Sequence, residues 1–93
     1  MLHIIKHPQQ LAIASRYLQP SDAIVLVENA VYATSEQSPF FGYLNNHNPV
    51  YVLKEDLEAR GWLNRCAQSI QIMNVADWVE LTVNYDKSMS WWW

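Results

Sequence analysis

The run Ala23-Ile24-Val25-Leu26-Val27 constrains this chain most, because none of its positions is polar enough to face water. A strand with one wet face alternates apolar and polar residues, whereas a strand without alternation is covered on both faces. Its branched side chains favour extended backbone, and the run is too short to be a buried helix. Such a strand belongs inside a parallel sheet with helices packed above and below it. Val50-Tyr51-Val52-Leu53 reads the same way.

The remaining segments fit around these two. Leu2-His3-Ile4-Ile5-Lys6 predicts a first short strand, and residues 70–73 a weaker fourth. Pro8 suits the first turn of a helix, where its missing N–H has no partner to lose. Leu11, Ala14, Ser15 and Leu18 then recur on one helical face, widened by Ala12, Ile13 and Tyr17. Gln19-Pro20-Ser21-Asp22 ends that helix. Glu28-Asn29 closes the second strand, and residues 30–33 read as the first turns of another helix. Residues 38–49 are irregular, with Gly42, Asn45, Asn46 and Asn48 favouring turns and room for a short helix around 40–44. Residues 54–60 predict a charged helix with Gly61 at C′ and an Asp56–Arg60 pair one turn apart. Asn74 caps a last helix with Asp77 at N3, and its inner face is expected at Val75, Trp78, Val79 and Thr82. Strand and helix alternate about four times, which predicts one α/β domain over 1–93. Its sheet should be small, open and mostly parallel, with about four to five strands, helices on both faces and right-handed crossovers. A Trp-rich tail, 87–93, completes it.

Composition narrows the function. Only 16% of residues are charged and 51% are hydrophobic, so the surface lacks polar cover and should bury area against partners, or self-associate when alone. The net charge of -3 and the scattered basic residues give no footprint for nucleic acid, so direct tRNA binding is not expected. Lys6, His3 and His7 interrupt the apolar start, which reads as neither a signal peptide nor a membrane span. A single cysteine, Cys66, forms no internal disulfide and fits a reducing cytoplasmic setting. Two glycines cannot write a dinucleotide fingerprint or a P-loop, and no G-x-S-x-G elbow exists, so no cofactor is expected. His3, His7 and His47 lack acidic neighbours and the spacing of metal ligands, so no metal is expected either.

Candidate site residues follow from placement. Ligands and partners of open α/β sheets gather beyond the carboxyl ends of the strands. Those ends carry His7, Glu28, Asn29, Lys54, Glu55 and Asp56, which either start the next helices or form an interface rim. Trp91, Trp92 and Trp93 either anchor a subunit interface or leave one indole folded onto the core. Cys66 is a small buried thiol or a low-pKa sulfur carrier helped by Arg65.

Several segments together resemble the TusB/DsrH family. They are 1–7 (MLHIIKH), 18–23 (LQPSDA), 28–33 (ENAVYA), 50–61 (VYVLKEDLEARG) and the Ser90-Trp91 ending. The likeness runs in order along nearly the whole chain. It implies a DsrE-like α/β domain serving as an accessory subunit of a sulfurtransferase complex. In that assembly TusC/DsrF-like and TusD/DsrE-like subunits would join it in a heterohexamer, two copies of each. The complex would take persulfide sulfur from a TusA-like carrier and pass it to a TusE-like carrier for 2-thiolation of the tRNA wobble uridine. A DsrEFH-type role in sulfur oxidation is the alternative branch. The accepting cysteine is expected in the D-type subunit. Some DsrH members carry a cysteine in the first helix, where this chain has Ala14-Ser15, and a serine hydroxyl cannot carry persulfide sulfur. A stand-alone thiol sulfurtransferase using Cys66 remains the enzymatic alternative.

Overall fold

A computed structural model describes residues 1–44 and 47–91. Strands β1 (Leu2–Ile5), β2 (Ala23–Leu26), β3 (Val50–Leu53), β4 (Gln71–Met73) and β5 (Ser88–Trp91) form a single sheet in the order β4-β3-β2-β1-β5. Every neighbouring pair is parallel. The first three crossovers step in one direction across the sheet, and the fourth jumps back from one edge to the other. Right-handed connections therefore place the first three on one face and the fourth on the opposite face.

Alternate side chains along each strand divide between these two faces. On the first, Ile5, Ile24, Leu26, Val50 and Val52 pack with Leu11, Ala14, Val31 and Leu57 from the crossovers. On the second, Leu2, Ala23, Val25, Val27, Leu53 and Met73 lie under Trp78, Leu81 and Tyr85. Both faces of β2 are covered, as its unbroken apolar run requires.

The crossovers are less regular than their sequence periodicity predicts. Residues 8–17 form a 3-10 turn (Pro8–Gln10), helix α1 (Leu11–Ala14) and a second 3-10 turn (Ser15–Tyr17). The Ser15 hydroxyl bonds the Ala12 carbonyl at 3.1 Å, competing with the helical ladder. Ile13 and Tyr17, expected to widen the buried face, are exposed. The 30–33 helix is a 3-10 stretch, Glu28–Thr34, in which Thr34 bonds back to the Val31 carbonyl. The short helix around 40–44 is a 3-10 turn, Phe41–Tyr43. Asn45 and Asn46 lie outside the described residues.

Helix α2 (Lys54–Ala59) ends as its sequence predicts. Gly61 takes a φ of 62°, its N–H bonds the Glu58 carbonyl, and the Trp62 N–H bonds the Leu57 carbonyl. These paired bonds make a Schellman ending, which needs a residue without Cβ at C′.

Helix α3 (Val75–Asn84) opens on the expected box: Asn74 Oδ1 accepts from the Asp77 N–H at 2.8 Å, and Asp77 Oδ2 accepts from the Asn74 N–H at 3.3 Å. Removing the cap with Asn74→Ala should cost about 1 kcal/mol, read as a lower urea midpoint, and Asn74→Asp should recover most of it. The expected inner face of α3 is corrected by the structure. Trp78 packs inward, but Val75, Val79 and Thr82 are exposed, and Leu81 and Tyr85 take the inner positions. Two sets of residues share the helical period here. The set with the larger apolar side chains wins the core because burial scales with area.

The tail expected over 87–93 begins with a strand, since Ser88–Trp91 pairs with β1 along its full length. Serine at alternate positions hides that strand in the sequence. Trp92 and Trp93 lie outside the described residues.

Candidate functional site

The carboxyl ends of β2 and β3 bring together three of the residues singled out above. Glu28 follows β2 with a φ of 51°, a left-handed backbone disfavoured for a side chain bearing Cβ. Its N–H donates to Asp56 Oδ2 at 2.7 Å, tying the β2 crossover to α2. Arg60 Nε donates to Asn29 Oδ1 at 3.1 Å, and its Nη1 lies 3.9 Å from Asp56 Oδ1. Arg60 is thus a member of the cluster that the sequence shows only as a helix pair with Asp56. Lys54 and the Glu28 side chain are exposed at the same rim, as is His7 after β1. Glu55 reaches further, with Oε2 accepting from the Val75 N–H at 3.4 Å. The cluster supplies charges and acceptors but no nucleophile, which suits recognition better than covalent chemistry.

A second constellation spans the chain from end to end. His3, Asp22 and Trp91 are 2%, 4% and 3% exposed. The Trp91 indole Nε1–H donates to His3 Nδ1 at 3.1 Å, across β1 and β5. An indole nitrogen only donates, so Nδ1 must accept and the imidazole proton must sit on Nε2. That proton is donated to Asp22 Oδ2 at 2.9 Å. Asp22 also accepts from the Met1 ammonium at 2.8 Å and from the Gln19 N–H at 3.0 Å. Burial alone would raise the Asp22 pKa. The ammonium, the Gln19 N–H and the His3 ring outweigh it and lower the pKa from 3.8 to about 2. The order Trp–His–Asp mimics a base held by its orienting carboxylate, but both ring nitrogens are occupied and the ring is buried. The set is a lock on the sheet edge and has no free nitrogen to take a substrate proton. Sequence reading missed it because no local spacing links residues 3, 22 and 91; only the β5-β1-β2 order does. His3, Asp22 and Trp91 also line an apolar groove of about 500 Å³ that lies between Tyr17 and Met89.

Of the two alternatives given for the tryptophans, an interface anchor or an indole folded onto the core, Trp91 takes the second and packs in the chain's own core. Tyr17 covers it, with ring centroids 6.0 Å apart.

Cys66 lines an open cavity of about 560 Å³ with Ser35, Glu36 and Arg65. Its thiol pKa is raised by burial, with a hydrogen bond to Thr34 opposing the rise. Of the two alternatives given for Cys66, the structure favours the small buried thiol over one activated by Arg65, whose guanidinium lies 4.7 Å from the Trp62 ring centroid as a cation–π pair. A thiol held protonated is a poor sulfur nucleophile. Among the described residues no three His, Cys, Asp or Glu side chains gather as a metal-ligand set, and no helix is long and apolar enough to cross a membrane.

Fold and site together define a small, open-edged, parallel α/β chain of the DsrE-like type, whose polar clusters fasten its own crossovers and edges. The crystal structure of the ychN protein from E. coli shares this fold, with a TM-score of 0.74, 18% identity and 97% of each chain covered. Residues 6–88 match the family described as "DsrH like protein", and the chain belongs to that family. Protein TusB of Salmonella dublin is 33% identical over 95 residues, covering 98% of this chain and 100% of the relative. Protein TusB of Enterobacter sp. (strain 638) is 32% identical over the same span.

Proposed function

We propose that this chain is an accessory subunit of a TusBCD-like sulfur-relay complex in the cytoplasm, working in tRNA wobble-uridine 2-thiolation. The observation that carries this reading is similarity to proteins named TusB along 98% of this chain and the full length of those relatives. The same naming favours the tRNA branch over a DsrEFH-type role in sulfur oxidation. The state of Cys66 supports an accessory role: its thiol pKa is raised by burial, and sulfur transfer needs a thiolate. TusC-like and TusD-like subunits are the direct partners, with sulfur entering from a TusA-like carrier and leaving to a TusE-like one. The rim of exposed Glu28, Asn29 and Lys54, with half-buried Asp56 behind them, supplies polar positions for such contacts.

Co-expression with the TusC-like and TusD-like proteins of the same genome tests the reading. The expected result is a single species whose mass equals two copies of each chain. Sulfur passage through that assembly should be unchanged by Cys66→Ser. Failure to co-purify overturns the subunit reading, and persulfide loading of the isolated chain that is lost in Cys66→Ser favours the stand-alone thiol sulfurtransferase.

A further inference from the structure

Strand β5 is fastened to the fold mainly through one side chain. Ser88 and Met89 are exposed, Ser90 is half-buried, and only Trp91 of the four is buried. It is also the outermost strand on its side of the sheet, paired with β1 alone. An edge element with so few buried contacts opens locally more readily than a central strand.

The anchor itself depends on where the protons of His3 sit. Trp91 Nε1–H donates to His3 Nδ1 at 3.1 Å, and the two rings lie nearly parallel, 6.2 Å between centroids. An indole nitrogen can only donate, so this bond exists only while Nδ1 is bare. Nε2 already carries the one proton of the neutral ring and donates it to Asp22 Oδ2 at 2.9 Å. A second proton therefore has to enter at Nδ1, where it sets a donor against a donor.

The charges around the ring give that second proton no welcome in the closed arrangement. From the turn before β2, Asp22 faces Nε2, and the Met1 ammonium at 2.8 Å already balances its charge. Tyr17 covers Trp91 from the first crossover, ring against ring. Tyr85, just past α3, stays un-ionised, since burial raises its pKa and Tyr51 and Asp22 add to the rise. Arg16, Asp86 and Lys87 on the neighbouring segments are exposed. An imidazolium closed in here is a buried charge facing an acceptor that is already shared.

We infer that the His3–Trp91 hydrogen bond is a proton-sensitive latch on β5: a second proton taken up at His3 Nδ1 breaks it and releases the Trp91 indole and the edge strand, while the rest of the sheet stays folded. One proton comes from water and none leaves elsewhere, because the Nε2–H bond to Asp22 is kept. The open form is a minor population whose share grows with acidity, since it binds a proton that the closed form does not accommodate. Trp91 also lines the apolar groove between Tyr17 and Met89, so its release widens that groove beside an unzipped strand edge.

Hydrogen exchange on the isolated chain between about pH 7.5 and about pH 5 tests the latch, above the range in which Asp22 titrates. With the ordinary imidazole value of about 6.5 for a ring that faces water, protection of the Ser88–Trp91 amides, corrected for intrinsic exchange, should fall about 30-fold. Protection of Ala23–Leu26 should stay level. His3→Gln should abolish the pH dependence, because its amide can donate to Asp22 and accept from Trp91 but does not titrate. His7→Gln, at the exposed rim, should retain it. Imidazole nitrogen shifts give a reading without any substitution: at neutral pH His3 should show a bare Nδ1 and a protonated Nε2. The latch is overturned by β5 protection that is constant with pH, falls only together with β2, or keeps its pH dependence in His3→Gln. A His3 Nδ1 that is protonated at neutral pH overturns it as well.

Discussion

Asp22→Ala should destabilise this protein by about 3–5 kcal/mol, the range for removing one partner from a buried charged pair. The carboxylate accepts from the Met1 ammonium, the His3 ring and the Gln19 N–H, all at 3.0 Å or less. Deleting it strands the His3 donor inside the fold, while the Met1 ammonium and the Gln19 N–H, at partly exposed positions, lose their acceptor and turn to water. Domains of this size are stable by only about 5–15 kcal/mol, so the loss is a large share of the total. The thermal midpoint should fall by roughly 15–30 °C. Asp22→Asn should recover only part of the loss, because its amide NH2 faces groups that are themselves donors. Urea unfolding of the three forms checks the order, and a midpoint for Asp22→Ala within error of wild type would refute the lock.

The same carboxylate sets a pH window. Its pKa in the folded chain is about 2, against 3.8 for the ordinary group. The unfolded chain therefore binds this proton first as pH falls. The resulting stabilisation is complete above the unfolded value and disappears as pH drops from about 4 through about 2. Its size is about 2 kcal/mol at neutral pH. Asp22→Ala should lose this part of the acid dependence, so the wild-type and variant stability curves should converge toward pH 2.

Which parts of this structure are readable from the sequence depends on how local their causes are. The unbroken apolar runs of β2 and β3 announce a parallel sheet because no other surroundings tolerate them. Gly61 and the Asn74–Asp77 box announce helix ends because their hydrogen bonds close within five residues. Strand β5 is hidden, since Ser88-Met89-Ser90-Trp91 has weak strand character and owes its place to a parallel partner at the opposite end of the chain. The inner face of α3 is ambiguous for a different reason. Valines and large apolar residues share one period, and only the packing of Trp78, Leu81 and Tyr85 on the sheet decides which set turns inward. At the carboxyl-end rim, Glu28, Asn29 and Asp56 are legible from topology. Arg60 and the strained Glu28 backbone emerge only when the β2 and β3 crossovers are placed side by side.

Trp91→Ala is the counterpart of the Asp22 substitution at the other end of the network, and it should cost about 3–5 kcal/mol. Two losses combine in it. The indole fills the first core beside Ile5, its β1 register partner, so alanine leaves a cavity there. His3 Nδ1 also loses its donor inside the fold. Trp91→Phe separates the two, because it keeps most of the apolar contact and removes only the N–H. It should cost about 1–3 kcal/mol, the range for an orphaned buried polar group. Since Trp91 and Asp22 grip opposite nitrogens of one ring, the double variant should lose less than the sum of the singles, with a coupling of about 0.5–3 kcal/mol. Additive losses would mean that His3 transmits nothing between them. Hydrogen exchange gives the structural readout. In wild type the Trp91 amide should be protected along with β1, and in Asp22→Ala, studied where it is still folded, protection of Ser88–Trp91 should fall before that of β2, because the edge strand is held by the network the variant breaks.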